Sequence, residues 1–523
     1  MAKTIPVKAT RREWIGLAVL ALACVLYAMD LTVLHLAVPK LSAELQPSSA
    51  QLLWIIDIYG FFVAGSLITM GTLGDRIGRR KLLLIGATMF GIVSTIAAFS
   101  TSAEMLIVSR ALMGIAGATL APGTLSLIFN MFRDPEERAR AIGVWISAFS
   151  AGSAIGPVMG GVLLQYFWWG SVFLLALPVM ALLLLLGPRV LPEYRDENAG
   201  RLDLTSAAMS LTAILAIVFG LKEIAQDGIN LLPLAAMGAG LVIGFLFARR
   251  QLSLKDPLMD LKLFRIPRFS VSLATNVLAV FIAVGYFLFI AQYLQLVLGL
   301  SPLESGLWSL PSAISFVIGS NVAPKFIHRF KPGIVLGAAM AIAAIGLSML
   351  AQVGVAGGLA LIVGASILIS LALAPAFSLT TELIVSSAPE EKAGAASGIS
   401  ETGAEFGGAL GISILGSIGT AIYRAELADR LPAAIPAEIA EVARGTLGAA
   451  VGVASQLPEE LSRTMLAIAR DAFVQGLHLA ALIAAVVAIG ASIMVSTLLR
   501  NTAARSAEHK ETKRKEPELS YED

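Results

Sequence analysis

The sequence predicts an all-α membrane protein in which fourteen transmembrane helices form two six-helix bundles, with two extra linker helices between them. Three observations predict this fold class. The 523 residues are 57% hydrophobic and only 14% charged, whereas a soluble protein carries about 25% charged residues. Apolar runs of about 20 residues, the length that crosses the core of a bilayer, recur along the whole chain. Lysine and arginine residues collect in alternate loops between these runs.

Each apolar run is predicted to form one membrane-spanning helix. The runs lie at 14–39, 52–73, 82–99, 104–128, 139–164, 168–188, 205–222, 230–248, 269–297, 304–324, 333–353, 357–384, 396–421 and 475–499. The seventh and eighth runs are too apolar for helices that lie on the membrane surface. Charged segments separate this pair from the six runs on either side. Two such halves are a known transporter plan, with the substrate site between the bundles near the middle of the membrane.

The predicted domains follow from these runs. They are a cytosolic N-terminus at 1–13, an N-terminal six-helix bundle at 14–190, a linker with two extra transmembrane helices at 191–250, a C-terminal six-helix bundle at 251–499 that includes an extracellular loop at 422–474, and a cytosolic tail at 500–523. The tail is predicted to be disordered because it is highly charged. The loop is too long for a simple connector. It is predicted to form short amphipathic helices, starting at Pro436 and Pro458, that pack as a hairpin on the outer face.

The positions of the basic residues predict the orientation. Thirty lysine and arginine residues fall in the segments on one side of the predicted membrane and seven in the segments on the other. Because basic loops stay in the cytosol, both termini are predicted to be cytosolic in a multi-pass protein of the cell membrane. The first apolar run has no small-residue cleavage site, so it is predicted to be a retained helix. The basic residues form no single patch, which argues against a nucleic-acid partner, and the lone Cys24 excludes an intramolecular disulfide.

Four carboxylates lie inside predicted spans: Asp30, Asp57, Glu401 and Glu405. A charged side chain at the bilayer centre costs about 2.5–3.5 kcal/mol on insertion scales, and such residues usually mark pathways for protons, ions or substrates. The chain is therefore predicted to move protons, ions or cations. Asp57 and Glu405 lie near predicted interfaces, where a hydrogen-bonded structural acid is the alternative. Glu401 and Glu405 are four residues apart and share one helix face.

The segment GTLGDRIGRRK lies in the predicted cytosolic loop between the second and third spans. Its glycines permit a tight turn, and Asp75 can cap or pair with the end of a neighbouring helix. The segment resembles the loop signature of the major facilitator superfamily, and this resemblance implies the major facilitator fold. The matching residues with a conformational role are Gly71, Gly74, Asp75, Arg76, Gly78 and Arg79.

Two further segments resemble motifs of the same superfamily. In the fourth span, IVSRALMGIAGA contains Arg110, whose guanidinium stays charged and needs a carboxylate or carbonyl partner; Asp30 is a candidate partner. In the fifth span, AGSAIGPVMGG resembles the motif of the antiporter branches. Its glycines recur every four residues on one helix face and allow close backbone approach, while its proline bends or loosens the helix. These residues are Gly152, Gly156, Pro157 and Gly160. Ordinary small-residue packing is the alternative.

The first span contains MDLTVLHLAVP, which resembles the signature of the fourteen-helix drug:proton antiporters (DHA2), and the similarity extends over nearly the whole chain. The resemblance implies multidrug efflux and antibiotic resistance: export of lipophilic mono- and dications such as quaternary ammonium antiseptics, biguanides and dyes, driven by proton entry. It also implies a monomer. No cofactor is expected, and no metal site is expected because the sequence contains no metal-ligand cluster. Asp30, Asp57 and Glu401 match acids of the family, and Glu405 matches an acidic position. Phe316 stands where some relatives carry an aspartate linked to divalent cations.

Aromatic residues near the acids fit a cationic substrate, because a cation binds over aromatic faces. Trp54, Asp57 and Phe61 lie about one helical turn apart, so all three can face one cavity. Two further pairs share a helix face, and the pocket candidates among all these aromatics are Trp54, Phe61, Trp145, Phe149, Phe289 and Tyr293. For each of them, lipid-facing or interfacial packing is the alternative. His35 either titrates near neutral pH or is hydrogen-bonded within the bundle.

The sequence leaves three functional hypotheses. The favoured one is a proton-coupled exporter of cationic drugs, in which Asp30 and Asp57 bind the substrate charge and couple it to protons, with Glu401 and Glu405 as second candidates for the proton route or substrate entry. The second is an exporter of a physiological metabolite or lipid-like compound that uses the same mechanism. The third, a membrane sensor or enzyme, lacks support because the sequence contains no Walker A motif, no H-E-x-x-H motif and no catalytic triad pattern.

Overall fold

A computed structural model describes residues 8–45, 47, 49–195, 203–254, 257, 259–327, 329–389 and 393–500 of the chain. Within these ranges the regular structure is helical and contains no strand. The predicted disordered tail lies outside the described residues beyond position 500.

The helices follow one another along the chain with short connections. They are Arg11–Leu45 (α1), Ser49–Ile77 (α2), Arg79–Ala98 (α3), Ala103–Gly117 (α4), Leu120–Met131 (α5), Pro135–Tyr166 (α6), Ser171–Leu174 (α7), Ala176–Val190 (α8), Leu204–Asp227 (α9), Leu231–Ser253 (α10), Pro267–Gln292 (α11), Pro302–Ile327 (α12), Pro332–Leu350 (α13), Leu359–Val385 (α14), Ala393–Gly411 (α15), Ser417–Arg430 (α16), Ala437–Gly445 (α17), Leu447–Val453 (α18) and Glu459–Leu498 (α19). All fourteen predicted spans coincide with helical segments. Of the described residues, ten segments are long and apolar enough to cross a membrane.

Several spans are irregular. The fourth is broken at 118–119 between α4 and α5, and the sixth at Leu175 between α7 and α8. A π-helical turn at Tyr293–Val297 ends the ninth span, and another at Ile412–Gly416 joins α15 to α16. Short π-helical turns inside α-helices are frequent at functional sites.

The helix that contains the last predicted span begins well before the predicted start of that span at 475. Pro458 is the N-cap of α19 and Glu459 and Glu460 lie in its first turn, where acidic residues are favoured by the helix dipole. Because these first turns are polar, hydropathy does not detect them. With α16 extending to Arg430, only residues 431–458 lie between the two long helices, and we call them the hairpin segment.

The buried side chains form two large clusters. One cluster consists almost entirely of residues from α1 to α8, and the other of residues from α11 to α19. The two sets of helices meet along two seams, where α2 packs against α15 and where α6 packs against α12. The functional site predicted between the bundles must therefore lie close to these two seams.

The linker helices lie beside one of the seams. Helix α10 packs on α9, and α9 packs along α2 and reaches the π-helical turn at 412–416. At mid-height, Phe61 of α2 and Ala409 of α15 are buried together against Ile214 and Leu215 of α9. Helix α9 thus covers the α2–α15 seam.

Candidate functional site

The ends of the long helices define two faces of the molecule. The motif face is the end at Ile77–Arg79, where α2 meets α3. Because Asp75 bonds the start of α15, α15 and α16 together run from the motif face to the opposite end, which carries the hairpin segment and is called the hairpin face.

Arg110 is fully buried and joins three helices of the first bundle. Its Nη1 donates to Asp30 Oδ2 of α1 at 2.6 Å, and its Nε donates to the Ile55 carbonyl of α2 at 3.3 Å. Its guanidinium carbon lies 4.5 Å from the centre of the Tyr59 ring, which adds a cation–π contact. The structure therefore shows the contact between Arg110 and Asp30 that the sequence could only suggest.

A small cavity lies beside this ion pair. Its volume is about 10 Å³, which holds about one water molecule. Asp30 and Met29 of α1 line one side, and Phe173 and Leu175, at the break between α7 and α8, line the other. The Asp30 carboxylate, 10% exposed, is therefore in a position to contact water while it pairs with Arg110.

Glu405 of α15 reaches an aromatic group in the first bundle. Its Oε1 accepts a hydrogen bond of 3.4 Å from the hydroxyl of Tyr27 on α1. The Tyr27 ring packs edge-on against Phe149 of α6, with ring centres 5.7 Å apart, and lies 6.2 Å from the ring of Tyr59. Glu401 interacts electrostatically with both Tyr27 and Glu405. The two predicted acids of α15 therefore face the first bundle.

Trp145 and Phe149, predicted to share a face of the fifth span, do so. Their ring centres lie 4.8 Å apart in an edge-to-face arrangement. The Trp145 indole donates to Thr124 Oγ1 of α5 at 2.9 Å, and the same hydroxyl lies 3.6 Å from Cys24 Sγ of α1. We call Tyr27, Trp145 and Phe149, together with Glu401 and Glu405, the central cluster.

Trp54 and Phe61 lie at the α2–α9 contact. Their rings pack edge-to-face, 5.8 Å between centres. The Trp54 ring is also stacked on Phe219 of α9, with centres 6.0 Å apart and planes 12° apart. The contact with Phe219 was not predicted, because it depends on how the linker docks. The side chain of Asp57, which was predicted to share this face, lies outside the described residues.

Phe289 and Tyr293 belong to the interior of the second bundle. Phe289 packs on Phe473 of α19, with centres 5.9 Å apart. Tyr293 is fully buried and its hydroxyl donates to the Gly354 carbonyl at 2.6 Å. The structure does not bring these two pocket candidates into the central cluster.

Residues of the GTLGDRIGRRK loop tie the two bundles together at the motif face. Asp75 Oδ1 accepts from Arg79 Nε at 2.8 Å, and Asp75 Oδ2 accepts from the backbone nitrogen of Ala395, in the first turn of α15, at 3.1 Å. Arg79 also donates to the Ser126 carbonyl of α5 at 3.2 Å. Asp75 thus meets a neighbouring helix end, as the sequence predicted, and that helix belongs to the other bundle.

The glycines of the loop and of the fifth span allow close contacts. Gly78 has a φ of 111°, which favours glycine. Gly71, Gly74, Gly156 and Gly160 are buried, and Arg76 is partly buried. At Gly152 an added Cβ would lie 2.2 Å from the Val25 carbonyl oxygen, so α1 and α6 approach there at backbone contact. The side chains of Pro157 and His35 lie outside the described residues.

The α6–α12 seam carries a polar contact that sequence reasoning missed. Ser147 Oγ of α6 lies 2.9 Å from Ser320 Oγ of α12, and Asn321 Nδ2 donates to Ser147 Oγ at 3.2 Å. Phe316, on the same helix α12, packs against both buried clusters. Where some relatives are expected to carry an acid, this chain therefore places an aromatic ring between the bundles.

Comparison with known proteins agrees with this architecture. The family model of the Major Facilitator Superfamily matches residues 20–412. The chain is 42% identical to the multidrug efflux pump LfrA of Mycolicibacterium smegmatis over 94% of its own length and 97% of that protein. It is 37% identical to the methyl viologen resistance protein SmvA of Salmonella typhimurium, over 88% of this chain and 93% of that protein.

A solved structure shows the same fold. The human organic anion transporter MFSD10 superposes with a TM-score of 0.57 at 15% identity, over 91% of this chain and 99% of that one. At this identity the likeness concerns the fold alone. Together with the family model, it confirms the predicted fold class and the predicted resemblance.

Proposed function

Because the chain belongs to the Major Facilitator Superfamily of membrane transporters, we propose that it is a proton-coupled antiporter that exports lipophilic cationic drugs and antiseptics by alternating access. Quaternary ammonium compounds, dyes and biguanides are the expected substrates. The names of two relatives support drug export: one is a multidrug efflux pump and the other confers resistance to methyl viologen. Methyl viologen is an aromatic dication, and it therefore has the chemistry expected of a substrate here.

The observation that carries the proposal is the hydrogen bond between Glu405 and Tyr27, whose ring packs against the other aromatic rings of the central cluster. A carboxylate provides charge for a cation, and the faces of Tyr27, Phe149 and Trp145 provide cation–π contact. These groups come from both bundles and lie where the bundles meet. A site divided in this way is remade or broken each time the bundles rock, as alternating access requires.

The proposed mechanism is competition for the carboxylates. A proton and a cationic substrate each neutralise a buried acid, and therefore binding of one disfavours binding of the other through linkage. The incoming cation displaces a proton from the acids of the central cluster, and reprotonation from the opposite side releases the cation. Asp30 and Asp57 are proposed to take part in the same exchange, with Arg110 holding Asp30 in place.

The proposed topology places the motif face in the cytosol and the hairpin face outside the cell, with both termini cytosolic in the cell membrane. The excess of basic residues in the predicted inside loops supports it. The domain boundaries predicted from the sequence are retained, with a monomer as the functional unit.

Proton release from inside-out membrane vesicles tests the proposal. The vesicles hold an acid lumen, a pH-sensitive dye reports the lumenal pH, and tetraphenylphosphonium, a lipophilic monovalent cation, or methyl viologen is added outside. The wild type is compared with Asp57→Asn, Glu401→Gln and Glu405→Gln. Glu438→Gln is the matched control, because Glu438 is an exposed carboxylate of α17 in the hairpin segment.

Both cations are expected to raise the lumenal pH in the wild type and in Glu438→Gln, and at least one of the three membrane variants is expected to abolish the response. If no cation changes the lumenal pH in the wild type, drug:proton antiport is wrong, and export of a physiological metabolite or lipid-like compound becomes the better interpretation. A response that survives in all three variants would place the coupling on other groups.

A further inference from the structure

Tyr27 forms a hydrogen bond between the two bundles, with one of the predicted acids as its partner. Its ring is buried among the side chains of the first bundle, and its hydroxyl points across the seam to Glu405 of the second. An aromatic residue in an apolar run usually has a packing role, and the sequence therefore does not predict this role. We propose that Tyr27 is a positioning residue for the exchange reaction: its hydroxyl occupies Glu405 in the empty carrier and must be displaced by the cation. This inference rests on the proposed function.

The bond has the properties of one that is readily exchanged. At 3.4 Å, the oxygen–oxygen distance is longer than the 2.7–2.8 Å typical of a strong O–H···O bond. A cation brought to the same carboxylate gains a full charge–charge contact in a medium of low dielectric constant. The weaker partner is therefore the one displaced.

The Tyr27 ring also connects the acids of the two bundles. It lies next to Tyr59, whose ring face holds the guanidinium of Arg110, and Arg110 pairs with Asp30. Glu405, Tyr27, Tyr59, Arg110 and Asp30 thus form one continuous series of contacts. When the hydroxyl leaves Glu405, the freed ring remains in place, so that the cation lies between a carboxylate and an aromatic face.

Charged and titratable groups face Tyr27 from three sides. Glu405 and Glu401 lie on α15, and Tyr59 lies on α2. Asp30 is on Tyr27's own helix, one turn away. Each of the acids can take part in binding the cation, so the test must isolate the bond to Glu405.

The test measures equilibrium binding of tetraphenylphosphonium to the purified full-length protein. Tyr27→Phe removes only the hydroxyl and retains the ring contacts, so the variant is expected to fold. Its matched control is Tyr423→Phe: Tyr423 is also buried, and its hydroxyl donates to the Ala443 carbonyl at 2.9 Å, between α16 and the hairpin segment. Both variants lose one hydroxyl hydrogen bond, and thermal unfolding compares their stability.

Without the competing hydroxyl, Tyr27→Phe is expected to bind the cation more tightly. The Kd should fall about three- to tenfold, which corresponds to about 0.65–1.4 kcal/mol and to the net contribution of one hydrogen bond. Tyr423→Phe should leave the Kd within about twofold of the wild type. In a Glu405→Gln background the change from Tyr27 to Phe should have no further effect, because the amide leaves no carboxylate for which the hydroxyl and the cation compete.

An unchanged or weaker affinity in Tyr27→Phe would overturn the assignment, as would a tightening that persists in the Glu405→Gln background or that Tyr423→Phe reproduces. These results leave the proposed function intact if the wild type binds and transports the cation. If the wild type binds neither tetraphenylphosphonium nor methyl viologen, the proposed function is wrong and the role of Tyr27 is wrong with it.

Discussion

Neutralising Asp30 would leave Arg110 as an unpaired charge in the interior of the first bundle. The Arg110 side chain is 2% exposed and its short bond to Asp30 is the ionic contact that compensates it. Breaking a buried ion pair by removing one partner costs about 3–5 kcal/mol. The ring of Tyr59, which stays in contact, is worth only about 0.5–2 kcal/mol to a cation and already contributes in the wild type.

The assay is thermal unfolding of purified Asp30→Asn in detergent. For a folding unit of 150–250 residues, the size of one bundle, each kcal/mol lowers Tm by about 2–4 °C. The loss of the carboxylate charge should therefore lower Tm by about 6–20 °C. A second variant, Asp30→Asn combined with Arg110→Met, removes the remaining charge as well, and well-packed apolar substitutes for a buried ion pair are often neutral.

The double variant should recover at least half of the lost stability and still fail to transport, because the acid is absent from both. A drop of less than 1 °C in Asp30→Asn would show that Arg110 is not held by Asp30. A double variant as unstable as the single one would show that the cost does not come from the unpaired charge, and either result would refute this reasoning.

Two further predictions concern stability. Gly152→Ala should destabilise the protein by about 1–3 kcal/mol, because the added Cβ would lie 2.2 Å from the Val25 carbonyl oxygen. Gly161→Ala on the same helix should be neutral or slightly stabilising, because nothing lies within 4 Å of its added Cβ. Thermal unfolding compares the two variants, and equal losses of stability would contradict the close approach of α1 and α6. The hydrogen bond from Arg430 lowers the pKa of Asp471 below its ordinary value of 3.8, so the contribution of this acid to stability is fully present above about pH 4 and is lost as the pH falls through the lowered pKa. After correction for the intrinsic pH dependence of amide exchange, the protection of amides in the hairpin segment should fall below that pH in the wild type and depend less on pH in Arg430→Gln. A pH dependence identical in both would contradict the assignment.

Much of the fold could be predicted from the sequence, since a membrane helix is specified by the length and hydropathy of one segment. The helix starts at Pro436 and Pro458 were also predictable, because proline fits the first positions of a helix. The breaks at 118–119 and the π-helical turn at Ile412–Gly416 were not. Such irregularities are set by the neighbours against which a helix packs, and hydropathy contains no information about neighbours.

The charged residues of the candidate site could be predicted from the sequence, whereas its uncharged residues could not. Asp30 could be predicted as the partner of Arg110, because a charged side chain without a partner is costly in a membrane. Tyr27 and Phe219 carry no such cost, and in sequence they resemble any apolar residue. Their contacts depend on how the bundles and the linker dock. The same docking determines that the helix end contacted by Asp75 belongs to α15 of the other bundle.

The position of α9 makes the two seams mechanically unequal. At the α2–α15 seam a third element, covalently joined to both halves, fills the gap with apolar side chains such as Leu215 and stacks Phe219 on Trp54. At the α6–α12 seam the described contacts include short polar side chains such as Ser147 and Ser320, together with the ring of Phe316. Rocking of the two halves would then separate the α6–α12 seam more easily than the α2–α15 seam. Compounds dissolved in the bilayer would then reach the region between the bundles more easily through the α6–α12 seam than through the α2–α15 seam.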